Sequence, residues 1–306
     1  MLKYFLKKLG MVLIVLIGAA TCSFVVLHAI PGDTAQAIAG PQATMEDVER
    51  LRASMGLDKP LTEQYKSYII GLCHGNLGFS YHNGKPVWDL VAAAWPNTMR
   101  LALSSMLVAI LLGIPLGVLA AVKRGRVADT ISMVIAFIGI SMPSFWLALL
   151  LILLFCVNLN LVPFYGIQGW QSYILPSVTL GVHAAASIAR MTRTGMLEVL
   201  GQDYIRTARG KGLQESRVVF LHALRNAAIS IVTIIGLQFG ILLGGQVVTE
   251  TIFSWPGIGR MIVDALNSRD LQIVQGGILI LACTFAVINL LTDLLYGILD
   301  PRIRYN

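Results

Sequence analysis

The stretch DYIRTARGKGL, residues 203–213, is short, basic and broken by glycine, and it lies between two of the most apolar parts of the chain. From Met196 to Ala208 the spacing is helical, with Leu200, Tyr204 and Ala208 on one line. The GKG at 210–212 breaks that pattern, and from Gln214 to Leu224 a second short helix is expected, with Val218, Leu221 and Leu224 on one face. Glycine permits a sharp reversal with positive φ. Thr207 and Ala208 leave the expected surface without bulky side chains, and Arg206, Arg209 and Lys211 flank them. Small residues bounded by cations suit a surface that plugs into a groove of another protein. An inert basic loop is the alternative.

Outward from this stretch the chain is overwhelmingly apolar. Of 306 residues, 56% are hydrophobic and 13% charged, and the mean hydropathy is +0.73; a soluble domain carries about 25% charged residues. Crossing ~30 Å of hydrocarbon takes a helix of ~20 residues, and 9–30, 98–122, 132–156, 227–249 and 273–299 meet that requirement. A weaker stretch from Ile174 to Ala189, opened by Pro176 and built of small residues around His183, makes a sixth. The expected fold is therefore all-α, a polytopic membrane protein with six transmembrane helices. The apolar run at the N-terminus continues past Cys22 to Ile30, which favours an uncleaved first span over a signal peptide.

Lys and Arg fall on alternate connections. Lys3, Lys7 and Lys8, then Lys123, Arg124 and Arg126, then the set from Arg190 to Arg225, then Arg302 and Arg304 share one side, while 31–97 is mixed and 157–173 uncharged. By the positive-inside rule both termini face the cytoplasm. The net charge of +7 then needs no nucleic acid, and the lipid bilayer is its nearest partner. Two parts follow: 1–97, a first span plus a long amphipathic segment outside the membrane, and 98–306, five spans with a cytoplasmic loop at 190–226. In the first part Thr44 with Asp47 reads as a capping box before Val48, Leu51 and Met55, Pro60 opens a second helix, and HNG at 82–84 is a turn.

The spans carry packing signals rather than chemistry. Gly236, Gly240 and Gly244 form a stripe on the fifth span, and Gly113 with Gly117 repeats it on the second, as expected of helices that approach closely. Only His183 and Asp293 are ionisable groups clearly inside the spans, so the midplane relay of a proton- or sodium-driven carrier is missing. A hydrogen bond to a neighbouring helix is the expected role of His183. No phosphate-binding loop, H-E-x-x-H or C-x-x-C occurs, the cysteines imply no disulfide framework, and no metal or catalytic residue is assigned. In FSWPGIGR, residues 253–260, Phe253 and Trp255 are expected at the outer membrane interface with Pro256 and Gly257 turning the chain, as a short re-entrant helix or a belt anchor.

Residues 206–225 resemble the EAA loop of permease subunits in binding-protein-dependent ABC importers, whose pattern is E-A-A-x3-G-x9-I-x-L-P. Arg206, Thr207 and Ala208 take the first three places, then come Gly212 and Leu224; Arg206 replaces the glutamate, Thr207 the first alanine, His222 the isoleucine and Arg225 the proline. Those departures resemble the dipeptide, oligopeptide and nickel branch. So do PGD at Pro31, GLDKPLTEQY at Gly56, GNLGFS at Gly75, SMPSFW at Ser141, ILPSVTLG at Ile174, ETIFSWPGIGR at Glu250 and LDPRIR at Leu299.

The resemblance implies a type I ABC importer permease fold in a bacterial inner membrane. It also implies a second homologous permease subunit, two ATP-binding subunits that use ATP and Mg, and an extracytoplasmic solute-binding protein. No cofactor is implied for this chain. Tyr204, Arg206, Thr207, Ala208, Arg209, Lys211, Gly212, Leu213 and Leu224 are implied in coupling to the ATPases, and Phe253, Trp255, Pro256 and Gly257 in the outer gate. Peptide is the expected substrate, with nickel, a chelated metal and glutathione as alternatives. A secondary transporter or a membrane scaffold would have no need of such a loop.

Overall fold

The computed structural model describes residues 2–29, 32–40 and 42–299; Pro31, the LDPRIR ending past Leu299 with Arg302 and Arg304, and the side chains of Lys3 and Lys7 lie outside the described set. In chain order the elements are α1 (Leu2–Ala29), α2 (Thr34–Ala39), α3 (Met45–Ser54), α4 (Leu61–Cys73), β1 (Phe79–Ser80), β2 (Lys85–Pro86) and α5 (Val87–Val122). Then come α6 (Val127–Ser141), α7 (Ser144–Leu151) with a π-helical continuation at Ile152–Asn158, a 3-10 turn at Trp170–Tyr173, α8 (Ile174–Leu200) and α9 (Asp203–Gly210). Finally α10 (Glu215–Arg217) runs through a π-helical turn, Val218–Leu224, into α11 (Arg225–Ile252), followed by α12 (Ile258–Asn267) and α13 (Leu271–Leu299).

Among the described residues five helical stretches are long and apolar enough to cross a membrane, and a sixth span results if α6 and the α7 segment count as one. That pair bends by 101°. The apolar run predicts one continuous span over 132–156, but Pro143 has no N–H to donate and holds Met142 in an extended conformation (ψ 122°), so the helix ends at Ser141 and restarts at Ser144. Conversely, the weak stretch at 174–189 belongs to a full-length helix, α8. Its window is 67% buried, against 17% for α1. Small residues suffice on α8 because it faces protein rather than lipid.

The chain divides into two compact units, Met1–Thr98 with Pro256–Val287, and Met99–Trp255 with Ile288–Asn306. Pro256–Val287, assigned by sequence to the part 98–306, packs with the first unit. There Thr44 caps α3, its hydroxyl accepting from Asp47 N at 3.2 Å and donating to Asp47 Oδ2 at 2.6 Å, and Gly56 beyond the helix end has φ +69°. The α4 helix leans on α1 through Thr21 Oγ1 and Tyr65 OH (2.8 Å), His28 Nε2 and Gln64 Oε1 (3.2 Å), and Phe24 stacked on Tyr68. The HNG turn closes the β1–β2 hairpin, and Ser80 at its base donates to Asp270 Oδ2 at 2.6 Å, tying it to the start of α13. Leu77, Val87, Val91, Ile258, Ile262 and Val274 fill the core.

In the second unit α5 and α8 approach at glycine. A Cβ on Gly113 would lie 2.7 Å from the Ala185 carbonyl, one on Gly117 2.5 Å from that of Ala189, and one on Gly181 2.8 Å from that of Ser105. No side chain fits in those gaps, so the helices pack backbone to backbone. On α11, a Cβ at Gly236 would strike Thr292 of α13 and Gly240 is buried, whereas Gly244 is exposed with nothing within 4 Å. The stripe is therefore a contact at one end and open at the other. His183 differs from expectation too: its Nδ1 is buried without a hydrogen-bond partner.

Candidate functional site

The basic stretch forms a knuckle between α8 and α11. Its boundaries differ from the periodicity in two ways. The helix that begins at Ile174 ends at Leu200, with Gly201 and Gln202 as a break before α9. The second short helix is the beginning of a long one, since α10 and the π-helical turn continue without interruption into α11. A π turn places i and i+5 together, so Val218 and Ala223 share the buried side with Ala227 and Ile231, while Leu221 is 46% exposed. Leu224 is half-buried against the same cluster. An α-helical count alone would misassign Leu221.

The knuckle has an anchored side and a free side. Ile205 is fully buried and Ala208 nearly so, both packed with Met196, Val218, Val219 and Ala223. Leu213 caps this cluster half-buried. Ala208 therefore faces the chain's own core, and the expectation that it lies on the outer surface beside Thr207 is corrected: positions 205 and 208 are one helical turn apart and share the apolar face. Ile205, the residue that fixes the knuckle, was missed because a single isoleucine among charges gives little periodic signal.

The other face consists of Tyr204, Arg206, Thr207, Arg209, Gly210 and Lys211, all exposed. Thr207 Oγ1 bonds back to Asp203 O at 3.0 Å, leaving a smooth helical surface. Arg206 lies 3.7 Å from Asp203, with its side chain 78% exposed. Lys211 and Gly212 make the turn, Gly212 with φ +77°, a conformation that costs other residues ~1–2 kcal/mol. Across it Arg209 Nε and Nη2 donate to the Glu215 carboxylate at 3.1 and 2.6 Å. This forked pair raises the Arg209 pKa above the usual arginine value, so the clasp stays charged.

A second polar feature escaped the sequence. Arg193 of α8 grips Asp129 of α6 with two hydrogen bonds, 2.7 and 2.9 Å, and Gly125 N adds a third at 3.0 Å. Asp129 is only 6% exposed. The pairing is invisible in sequence because 64 residues separate the partners. Glu250, also absent from the expected intramembrane groups, is fully buried near the end of α11, which extends past 249.

Phe253 and Trp255 are not membrane anchors. They are 2% and 0% exposed, Trp255 lying edge-on to Tyr173 with ring centroids 4.7 Å apart. An indole packed by protein on all sides cannot meet the headgroups. Pro256 is exposed and Gly257 buried; Pro256 O accepts from Asn97 Nδ2 at 2.9 Å, and Thr98 Oγ1 takes the Ile258 N–H at 2.8 Å. Among the described residues no group of three or more His, Cys, Asp or Glu is placed to hold a metal ion.

Comparison with known proteins agrees with this architecture. Residues 113–305 match the family described as binding-protein-dependent transport system inner membrane component, and residues 1–102 match the N-terminal component of such systems. The dipeptide transport system permease protein DppB of Escherichia coli (strain K12) is 44% identical over an alignment 337 positions long, covering 100% of this chain and 99% of that protein. The glutathione transport system permease protein GsiC of the same strain is 45% identical over 305, covering 100% of both.

Among solved structures, a chain of the MetNI methionine ABC transporter in an inward-facing conformation superposes with a TM-score of 0.59 at 20% identity, covering 69% of this chain and 96% of that one. An amino acid ABC transporter gives 0.51 at 15% identity, covering 70% and 94%. These likenesses establish the fold, and the full-length identities establish the lineage. The chain belongs to the inner membrane components of binding-protein-dependent transport systems, the multi-pass permeases of ABC importers.

Proposed function

We propose that this chain is one of two permease subunits of an importer that moves short peptides into the cytoplasm, and that residues 203–213 couple it to an ATP-hydrolysing partner. The observation that carries the coupling is the two-sided knuckle: Ile205 and Ala208 are locked into the chain's own core while Tyr204, Arg206, Thr207 and Lys211 project freely. A partner that grips the free face moves a body fixed to α8 and α11, so a push on the knuckle is carried into the spans. Two ATP-binding subunits use ATP and Mg, a solute-binding protein delivers the peptide, and this chain hydrolyses nothing. Both termini lie on the knuckle side of the membrane, as the distribution of Lys and Arg supports.

Peptide as cargo rests on the full-length likeness to a dipeptide permease. The equal likeness to a glutathione permease supports a second reading, in which the cargo is the γ-linked tripeptide. The test is uptake into proteoliposomes carrying the whole complex, with labelled dialanine and labelled glutathione offered separately, with and without vanadate. Vanadate-sensitive accumulation of dialanine is expected. Accumulation of glutathione alone would favour the second reading, and accumulation without the ATP-binding subunits would overturn the coupling. Thr207→Trp is expected to abolish uptake while the chain still assembles in the membrane, because a large ring on the free face blocks a groove without disturbing the anchored one.

A further inference from the structure

The segment formed by α7 and its π-helical continuation, residues 144–158, has two apolar halves. On one, Ala148, Leu151, Phe155 and Cys156 pack with Leu175 at the start of α8 and Phe253 just past the end of α11. Those ends are remote from the knuckle, which holds the same two helices at their other ends. On the other half Trp146, Leu149, Leu150, Leu153, Leu154 and Val157 are 39–59% exposed. No Asp, Glu, Lys or Arg occurs from Thr130 to Ala189, so no charge near this surface calls for water.

The path of the chain gives the segment its level and its tilt. α6 runs antiparallel along α8, with Asp129 bonded to Arg193 near one end and Gly139 against Val182 near the other. Lys123, Arg124 and Arg126 fix the start of α6 at the headgroups. Its 15 residues rise about 22 Å, short of the ~30 Å hydrocarbon layer, so the chain turns at Pro143 while still inside that layer. The turn is 101°, close to a right angle, and a segment that follows an upright helix at that angle lies almost in the bilayer plane. Beyond Asn158 the loop exposes Phe164, Tyr165 and Trp170 among Asn160, Gln168 and Gln171. Aromatic rings beside neutral polar groups are the composition of a membrane–water interface.

We propose that residues 144–158 are an in-plane helix sunk in the outer leaflet, its outward half covered by lipid acyl chains, with Phe164, Tyr165 and Trp170 at the headgroups above it. A helix lying on the surface keeps a polar face toward water. This one is apolar on both halves, which places it beneath the headgroups. The pair α6 and α7 is then one upright helix and one horizontal one, not a single bent span. The inward half straps the far ends of α8 and α11, so the two helices that flank the knuckle are joined at both ends. None of this depends on the cargo.

The test is the depth of nitroxides in the complete importer in lipid nanodiscs. Trp146→p-acetylphenylalanine, and the same change at Leu150, Leu153 and Val157 in turn, is coupled to a hydroxylamine nitroxide, which leaves every cysteine unlabelled. All four positions lie on the exposed half, so the label displaces no packed side chain. Collision with oxygen and with water-soluble Ni(II)-EDDA gives each depth. High oxygen and low nickel access is expected at all four, with depths equal within about 5 Å, whereas an upright helix would spread them over about 15 Å. A label at Trp170 is expected nearer the surface than any of them. A steady drift of depth along the four, strong nickel collision, exclusion of both reagents by the second permease subunit, or a Trp170 label deeper than the rest each overturns the inference. The unsubstituted importer gives a second measurement, in bilayers of phospholipid carrying a diazirine near the ester or at the chain end. Adducts of one probe spread evenly over residues 146–157 are expected; adducts of the two probes segregated to opposite ends of that stretch overturn the inference.

Discussion

Replacing Ile205 by alanine tests the knuckle most directly. Ile205 is fully buried in a cluster with Met196, Val218 and Ala223. Removing its outer carbons forfeits about 2–5 kcal/mol, depending on how far the cavity collapses. The α9 helix is eight residues long, and a helix of that length has no stability of its own in water. Its attachment comes from Ile205, Ala208 and Leu213 on the apolar side and the Arg209–Glu215 clasp across the turn. The exposed clasp adds about 1 kcal/mol at most, so it cannot replace the lost burial. The helices behind the cluster keep their own contacts, so the loss falls on α9 alone.

The observable is hydrogen exchange of the amides in residues 203–212 of the reconstituted complex. A loss of ~2–5 kcal/mol appears as roughly 30- to 4,000-fold faster exchange there, at ~1.4 kcal/mol per decade. Transport should fall while ATP hydrolysis by the partners persists, because a detached knuckle moves without carrying the spans. Thr207→Ala, on the exposed face, should change exchange protection by less than ~0.5 kcal/mol. Unchanged protection in Ile205→Ala, or transport preserved despite accelerated exchange, would refute the anchoring.

Three other outcomes follow from packing and charge. Gly117→Val should lower the thermal midpoint in detergent, costing at least ~1–3 kcal/mol, because its Cβ would lie 2.5 Å from the Ala189 carbonyl. Arg193→Ala should cost about 3–5 kcal/mol by leaving Asp129 buried and uncompensated, and adding Asp129→Ala should recover much of it in a double-mutant cycle. Trp255→Ala should destabilise the chain by about 3–5 kcal/mol in the same melt, since the ring is fully buried on Tyr173; a normal melt would return the ring to the membrane interface.

Much of this protein is legible in one dimension. Long apolar runs determine helices because in hydrocarbon every backbone group must find its partner within its own segment. Capping at Thr44, the stop at Gly56 and the turn at Gly84 are local chemistry, and they sit where the residues put them. The knuckle also announces itself locally, as a glycine turn among cations. Tertiary structure decided what depends on neighbours distant in sequence. Periodicity does not say which side of α9 is inward; Ile205 and Ala208 are buried because α8 and α11 supply the other half of their cluster. Asp129 finds Arg193 only once α6 lies along α8, and Trp255 is core rather than anchor only because Tyr173 lies beneath it. Hydropathy measures a residue's preference to leave water, and lipid and protein satisfy that preference alike; which of the two a side chain meets is settled by packing.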